Sequence, residues 1–121
     1  GNQATHLVLR GGAGGSNYDA ASVARATQAL QQAGHHDGIM VDCSHANSGK
    51  DPQRQPQVLD EVVRQRLAGT LNLRAVMIES HLCDGQQSLD GPLEYGVSVT
   101  DGCLGWDKTE AMLRRVAKQL A

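Results

Sequence analysis

The feature that most constrains this chain is a unit that occurs three times in succession: a short apolar run, a polar cluster, and an amphipathic segment near a glycine or a cap. In the first, "THLVLR" over residues 5–10 meets the glycine-rich "GGAGGS". "DAASVARATQALQQAG" then sets Val23, Ala26, Leu30 and Ala33 at helical spacing, with Gly34 in the stop position. In the second, "GIMVDC" leads through "SHANSGK" to "PQVLDEVVRQRLAG", where Pro56 opens a helix, Leu59, Val63 and Leu67 recur at i+4, and Gly69 ends it. In the third, "RAVMIES" is followed by a long loop and by "DKTEAMLRRVAKQLA", where Asp107 with Glu110 three residues on predicts a capping box.

A βα, βα, βα order predicts an α/β fold with parallel strands and right-handed crossovers. The apolar runs are continuous rather than alternating, as expected when helices cover both faces of a sheet. The third loop, residues 81–106, is long enough to be functional or poorly ordered. Within it "LEYGVSVTDGC" is a candidate for a further short strand.

With 121 residues the chain suffices for one modest domain. It has two Tyr, one Trp and no Phe, so its core must come from Ala, Val, Leu, Ile and Met. A net charge of −2, with no basic cluster beyond Arg114-Arg115, argues against a nucleic-acid partner. No apolar run reaches the length of a membrane span, and the start has no signal-peptide pattern. Cys43, Cys83 and Cys103 are odd in number and lack C-x-x-C spacing, so reduced thiols in a cytoplasmic protein are expected.

All strand C-termini of a parallel sheet lie on one edge, which is where the chemistry of such folds sits. Arg10, the cluster from Asp42 to Asn47, and Glu79-Ser80-His81 should meet there. His45, Glu79 and Asp101 form a mixed N/O donor set that suits Mn, Fe or Zn. Arg10 beside Gly11-Gly12 offers a planar fork and exposed backbone N–H groups for a phosphate or carboxylate. Each has a plainer reading: a lone strand-end histidine is usually structural, and Glu79 can pair with a base. Asp42 is placed to orient an imidazole or a lysine. "GGAGGS" fits neither the dinucleotide fingerprint nor the P-loop. His35 and His36 are expected to be solvated at the opposite end of the sheet, and Cys43 to pack inward.

Taken together, "HLVLRGG", "NYD", "VDCSHANSGK", "VMIESHL" and "GPLEYGVSVTDGCLGW", with the closing helix, resemble the C-terminal portion of the metal-dependent 3-deoxy-arabino-heptulosonate 7-phosphate (DAHP) synthases, of the feedback-regulated bacterial and fungal type. The similarity runs from about Thr5 to Leu120. It implies part of a (β/α)₈ barrel, the last three βα units, and condensation of phosphoenolpyruvate with erythrose 4-phosphate at the head of the shikimate pathway. On single residues it implies that Arg10 binds the phosphoenolpyruvate phosphate and that His45, Glu79 and Asp101 ligate a divalent metal (Mn, Fe, Zn or Co). His45 and Asp101 are then also candidates for moving protons.

The chain departs from the family pattern at Ala13-Gly14-Gly15-Ser16, at Cys43 and in "CDGQQS", none of them a proposed ligand. A complete barrel takes about 250 residues. The expectation is therefore that residues 1–121 are the C-terminal part of a longer synthase, inactive alone and driven by raw strand edges into a homo-oligomer. The competing readings are a non-catalytic anion- or metal-binding module and another metal-dependent lyase.

Overall fold

A computed structural model describes residues 5–35 and 38–121. Three short strands, β1 (Leu7–Leu9), β2 (Ile39–Asp42) and β3 (Leu73–Met77), form a parallel sheet in the order β1-β2-β3. Helix α1 (Ala20–Gln32) connects β1 to β2. Between β2 and β3 come the single turn α2 (His45–Ser48), a 3₁₀ turn at Pro52–Arg54 and helix α3 (Gln55–Leu67), and α4 (Trp106–Leu120) closes the chain. The fold is thus α/β and parallel, as the repeated unit predicts.

Local chemistry explains the helix ends. The Asp19 carboxylate accepts the Ser22 N–H at 2.9 Å and caps α1, while Gly34, at φ +76°, provides the left-handed exit that a Cβ would penalise. Asp51 caps the 3₁₀ turn by accepting the Gln53 N–H at 2.9 Å. Pro56 lies in the first turn of α3, where its missing N–H costs nothing.

The end of the chain differs from expectation. α4 begins at Trp106 with Gly105 as its cap, so Asp107 lies in the first turn and makes no capping box. The reason is that Asp84 accepts the Gly105 N–H at 2.8 Å and fixes the start of the helix there, while Glu110 is taken by Arg114 at 2.7 Å.

One apolar cluster joins Leu9, Ile39, Val41 and Leu73 of the sheet to Val23 of α1, Val58, Leu59, Val62 and Val63 of α3, and Met112 and Val116 of α4. Leu67 is 59% exposed, so α3 buries the doublets 58/59 and 62/63 rather than the i+4 row through Leu67. Ala33 is likewise exposed, as the C-cap of α1. Truncating a fully buried residue such as Leu59 to alanine would cost roughly 2–5 kcal/mol.

Among the described residues helices cover only one face of the sheet, contrary to the reading of the continuous apolar runs. The in-register row Val8, Met40 and Ala75 lies outside the core cluster, and Val8 is 42% exposed. Side chains alternate between the two faces along a strand, so Arg10, Asp42 and Glu79 continue the parity of that open row and rise beyond it at the strand ends. Cys43 falls on the other parity and is fully buried in the core, as expected.

The long segment after β3 folds back on itself. Leu104 donates its N–H to Glu79 O at 3.0 Å and accepts the His81 N–H at 2.9 Å, a parallel bridge beside Ser80. The Gln87 amide accepts the Glu94 N–H and donates to the carbonyls of Glu94 and Val97, each at 2.8 Å. Ser98, Cys103 and Leu104 make isolated bridges only, so the further strand anticipated in "LEYGVSVTDGC" does not form. His36 lies outside the described residues. His35 follows α1 and donates its N–H to Leu30 O at 2.9 Å. Among the described residues no helix is long and apolar enough to cross a membrane.

Candidate metal centre

Where β2 ends, Asp42 is fully buried, and both of its carboxylate oxygens are used. Oδ1 accepts the Ser44 N–H at 2.8 Å, and Oδ2 lies 2.7 Å from His45 Nδ1. A buried carboxylate at Nδ1 favours the proton there and leaves the Nε2 lone pair free to face outward. His45 pays for this aim in backbone strain: its φ is +49°, a left-handed value costing a non-glycine residue about 1 kcal/mol or more.

His45 Nε2 lies 3.8 Å from Glu79 Oε1 and 3.9 Å from Asp101 Oδ2, and one donor atom from each of the three falls within 4.8 Å of the others. An ion held at about 2.1 Å by each donor requires donor pairs roughly 3–4 Å apart. The imidazole and two carboxylates therefore fit a hard or borderline divalent cation in spacing and in chemistry. His45 and Glu79 are half-buried, and Asp101 is exposed.

Arg10 stands beside this group. Its Nε is 3.6 Å from Asp42 Oδ2, and its side chain is 62% exposed, so the guanidinium fork faces solvent while its neck is steered by the carboxylate. The expected exposed N–H groups of Gly11-Gly12 are not free. Gly11 donates to Asn17 Oδ1 at 2.7 Å, and Gly12 exchanges backbone bonds with Gly15. The loop is a tight hairpin, pinned because its backbone donors are satisfied internally rather than aimed at an anion. Gly11 is at φ +72°, and a Cβ there would lie 2.8 Å from Ala46 Cβ, so only glycine lets this loop sit against α2.

Two buried amides brace the site, and the sequence pattern singled out neither for this role. Asn47 donates to Leu9 O at 3.0 Å and to Asp42 O at 2.8 Å, and it accepts the Asn17 N–H at 2.8 Å. It thus ties the ends of β1 and β2 to the loop after Arg10. Gln55 pairs with the backbone of Glu79 through both ends of its amide. Asn47 carried a signal, since it lies in the polar run after β2. Gln55 carried none, being one of four glutamines between residues 53 and 65.

His81, expected to join the cluster, turns away: it is exposed, and its Nδ1 accepts the Leu82 N–H at 2.8 Å. Burial, with the Asp42 charge adding to it, pushes the Cys43 thiol up to about 12, so it stays protonated and inert. Cys103 is also raised by burial, against a hydrogen bond with Ser98, with Glu79 and Asp101 adding to the rise.

A model of the DAHP synthetase I family matches residues 1–114. The chain belongs to that family. Among curated DAHP synthases it is 45% identical to the Tyr-sensitive phospho-2-dehydro-3-deoxyheptonate aldolase of Salmonella typhimurium, over 100% of this chain and 35% of that protein. It is 44% identical to the Phe-sensitive aldolase of Escherichia coli, over 97% of this chain and 34% of that one. The solved phospho-2-dehydro-3-deoxyheptonate aldolase of Francisella tularensis superposes with a TM-score of 0.93 at 40% identity, covering 98% of this chain and 35% of the other. The chain therefore spans about a third of the length of these DAHP synthases.

Proposed function

We propose that this chain carries the metal- and phosphate-binding edge of a DAHP synthase, on part of a (β/α)₈ barrel, for the condensation of phosphoenolpyruvate with erythrose 4-phosphate. One observation supports this most: His45, Glu79 and Asp101 bring three donor atoms within 4.8 Å of one another, beside the solvent-facing Arg10, in a chain of this family.

His45, Glu79 and Asp101 would hold a divalent cation, which would supply Lewis acidity for polarising a carbonyl. The reaction joins the enol carbon of phosphoenolpyruvate to the aldehyde carbon, takes up water at C2 and releases phosphate by C–O cleavage. Within it Arg10 binds the phosphate of phosphoenolpyruvate through its free fork, as a bidentate guanidinium does. Asp42 holds the His45 ring so that Nε2 faces the donor set. His45 and Asp101 are the groups placed to move protons. The same reading puts the protein in the cytoplasm as a homo-oligomer, where the free Cys43, Cys83 and Cys103 suit a reducing compartment. The ion is Mn, Fe, Zn or Co.

The test is a Mn²⁺ titration of the purified chain, with free Mn²⁺ followed by EPR and Glu79→Gln alongside. About one ion bound per chain, with binding lost in the variant, is the expected result. Equal binding by both proteins would sink the ligand assignment. With both substrates and Mn²⁺ present, the 121-residue chain is expected to show no turnover, since it spans only about a third of the length of the related synthases.

A further inference from the structure

The ladder between β2 and β3 ends at the pair Asp42–Met77, with Cys43 N–H donating to Met77 O at 2.8 Å as its last bond. Glu79 lies beyond it. The chain after β2 has by then turned into α2, and no strand of β2 remains to fix the backbone of Glu79. Yet a ligand-bearing residue needs its Cα held, because its side chain can be no better placed than the backbone that carries it.

Gln55 takes over that task. It is fully buried at the first position of α3, a helix anchored in the core by Val58, Leu59, Val62 and Val63. Its Oε1 accepts the Glu79 N–H at 2.8 Å, and its Nε2 donates to the Glu79 carbonyl at 3.0 Å. The Leu104 N–H donates to the same carbonyl at 3.0 Å, from the segment that also carries Asp101. A side-chain amide thus stands where a neighbouring strand's peptide would, and it couples the Glu79 backbone to the rigid start of α3. Two bonds to one residue fix orientation as well as position, which a single bond cannot do.

We propose that Gln55 is a positioning residue of the metal centre, presenting the Glu79 carboxylate to the ion through the backbone. This rests on the reading of His45, Glu79 and Asp101 as metal ligands. Gln55 touches neither ion nor substrate; it acts on how well Glu79 is preorganised. Outer partners of ligating groups typically change metal affinity 10–100-fold when removed.

Gln55→Met keeps the length and the apolar stem while removing both bonds. Gln65 provides a matched control on the same helix: it is 3% exposed and donates to Tyr18 O and Glu61, away from the centre. By Mn²⁺ EPR titration, Gln55→Met is expected to bind about tenfold more weakly than the unaltered chain. Its bound spectrum should also broaden as the carboxylate loses a fixed direction. Gln65→Met is expected to stay within about twofold, although it too loses buried hydrogen bonds. Unchanged affinity in Gln55→Met, or equal weakening in both variants, would overturn the proposal while leaving the ligand assignment intact. No Mn²⁺ binding by the unaltered chain would overturn both together.

A second measurement needs no substitution, in case Gln55→Met does not fold. In ¹⁵N-labelled unaltered chain, saturating Zn²⁺ is expected to slow hydrogen exchange of the Gln55 side-chain NH₂ several-fold, because a ligated Glu79 stiffens its clamp. Exchange that Zn²⁺ leaves unchanged would overturn the proposal.

Discussion

The carboxylate of Asp42 and the imidazole of His45 form a single unit, with Oδ2 2.7 Å from Nδ1, Asp42 fully buried, and the far nitrogen turned toward Glu79 and Asp101. They lie three positions apart in sequence, and the turn through Cys43 and Ser44 into α2 closes that distance. Asp42→Asn keeps the volume but replaces an acceptor-only group with an amide that can donate to Nδ1 and so favour the wrong tautomer. Mn²⁺ affinity by EPR titration is expected to fall at least about tenfold. Affinity within twofold of the unaltered chain would show that Asp42 serves the fold alone.

Asn47 makes three hydrogen bonds from a buried position, to Leu9 O, to Asp42 O and from the Asn17 N–H. Asn47→Ala leaves two carbonyls and one amide without their partner. The two carbonyls are the buried groups, and at about 1–3 kcal/mol each a loss of roughly 2–6 kcal/mol is expected from urea unfolding. A loss under about 1 kcal/mol would mean that the loop after Arg10 relaxes freely and is not braced by this residue.

How much of this was legible in the sequence depends on where each constraint resides. The helices and the parallel order come from local periodicity and punctuation, and the donor set comes from His45 and Glu79 just past the ends of β2 and β3, with Asp101 in the long loop before α4. The pairing of Asp42 with His45 was readable because both lie in one short run. Gln55 was not, since its partner lies 24 residues away and its meaning depends on where β2 stops relative to β3. The cap of α4 misled for the same reason: Asp84, distant in sequence, overrode the local Asp107–Glu110 pattern. The two-sided covering of the sheet misled because Val8, Met40 and Ala75 on the open face are as apolar as the residues that face the helices.

The three thiols should react in an order set by exposure. Cys83 is exposed, with its Sγ 3.9 Å from Tyr95 O, whereas Cys43 and Cys103 are buried and Cys43 is held up to about 12. Since the thiolate is the reactive form, iodoacetamide at pH 8 is expected to label Cys83 first and Cys43 only in denaturant, as read by peptide mass spectrometry. Early native-state labelling of Cys43 would show that the β2 end opens far more readily than its packing implies.

Asp84 is one group through which acid should weaken the junction between the 3₁₀ turn, the long loop and α4. It receives Lys108 Nζ at 2.7 Å, the Gly105 N–H at 2.8 Å and Gln53 Nε2 at 3.2 Å, linking the 3₁₀ turn before α3, the long loop and the start of α4. Hydrogen bonding from Lys108, then from Gly105 and Gln53, lowers its pKa to about 2, against about 3.9 for an unfolded aspartate. A folded pKa below the unfolded one stabilises the native state above about pH 4, and that contribution is lost as pH falls toward 2. Asp19, bonded to Ser22, and Glu61, bonded to Arg64, are lowered in the same direction, so the unaltered chain titrates at several places in this range. The difference between the unaltered chain and Asp84→Asn isolates one of them. The thermal midpoint of the unaltered chain is expected to fall more steeply than that of Asp84→Asn between pH 4 and 2, with the gap narrowing in 1 M salt because the Lys108 pair is exposed. Parallel curves at low salt would show that this junction is held by the Gly105 cap without the charge.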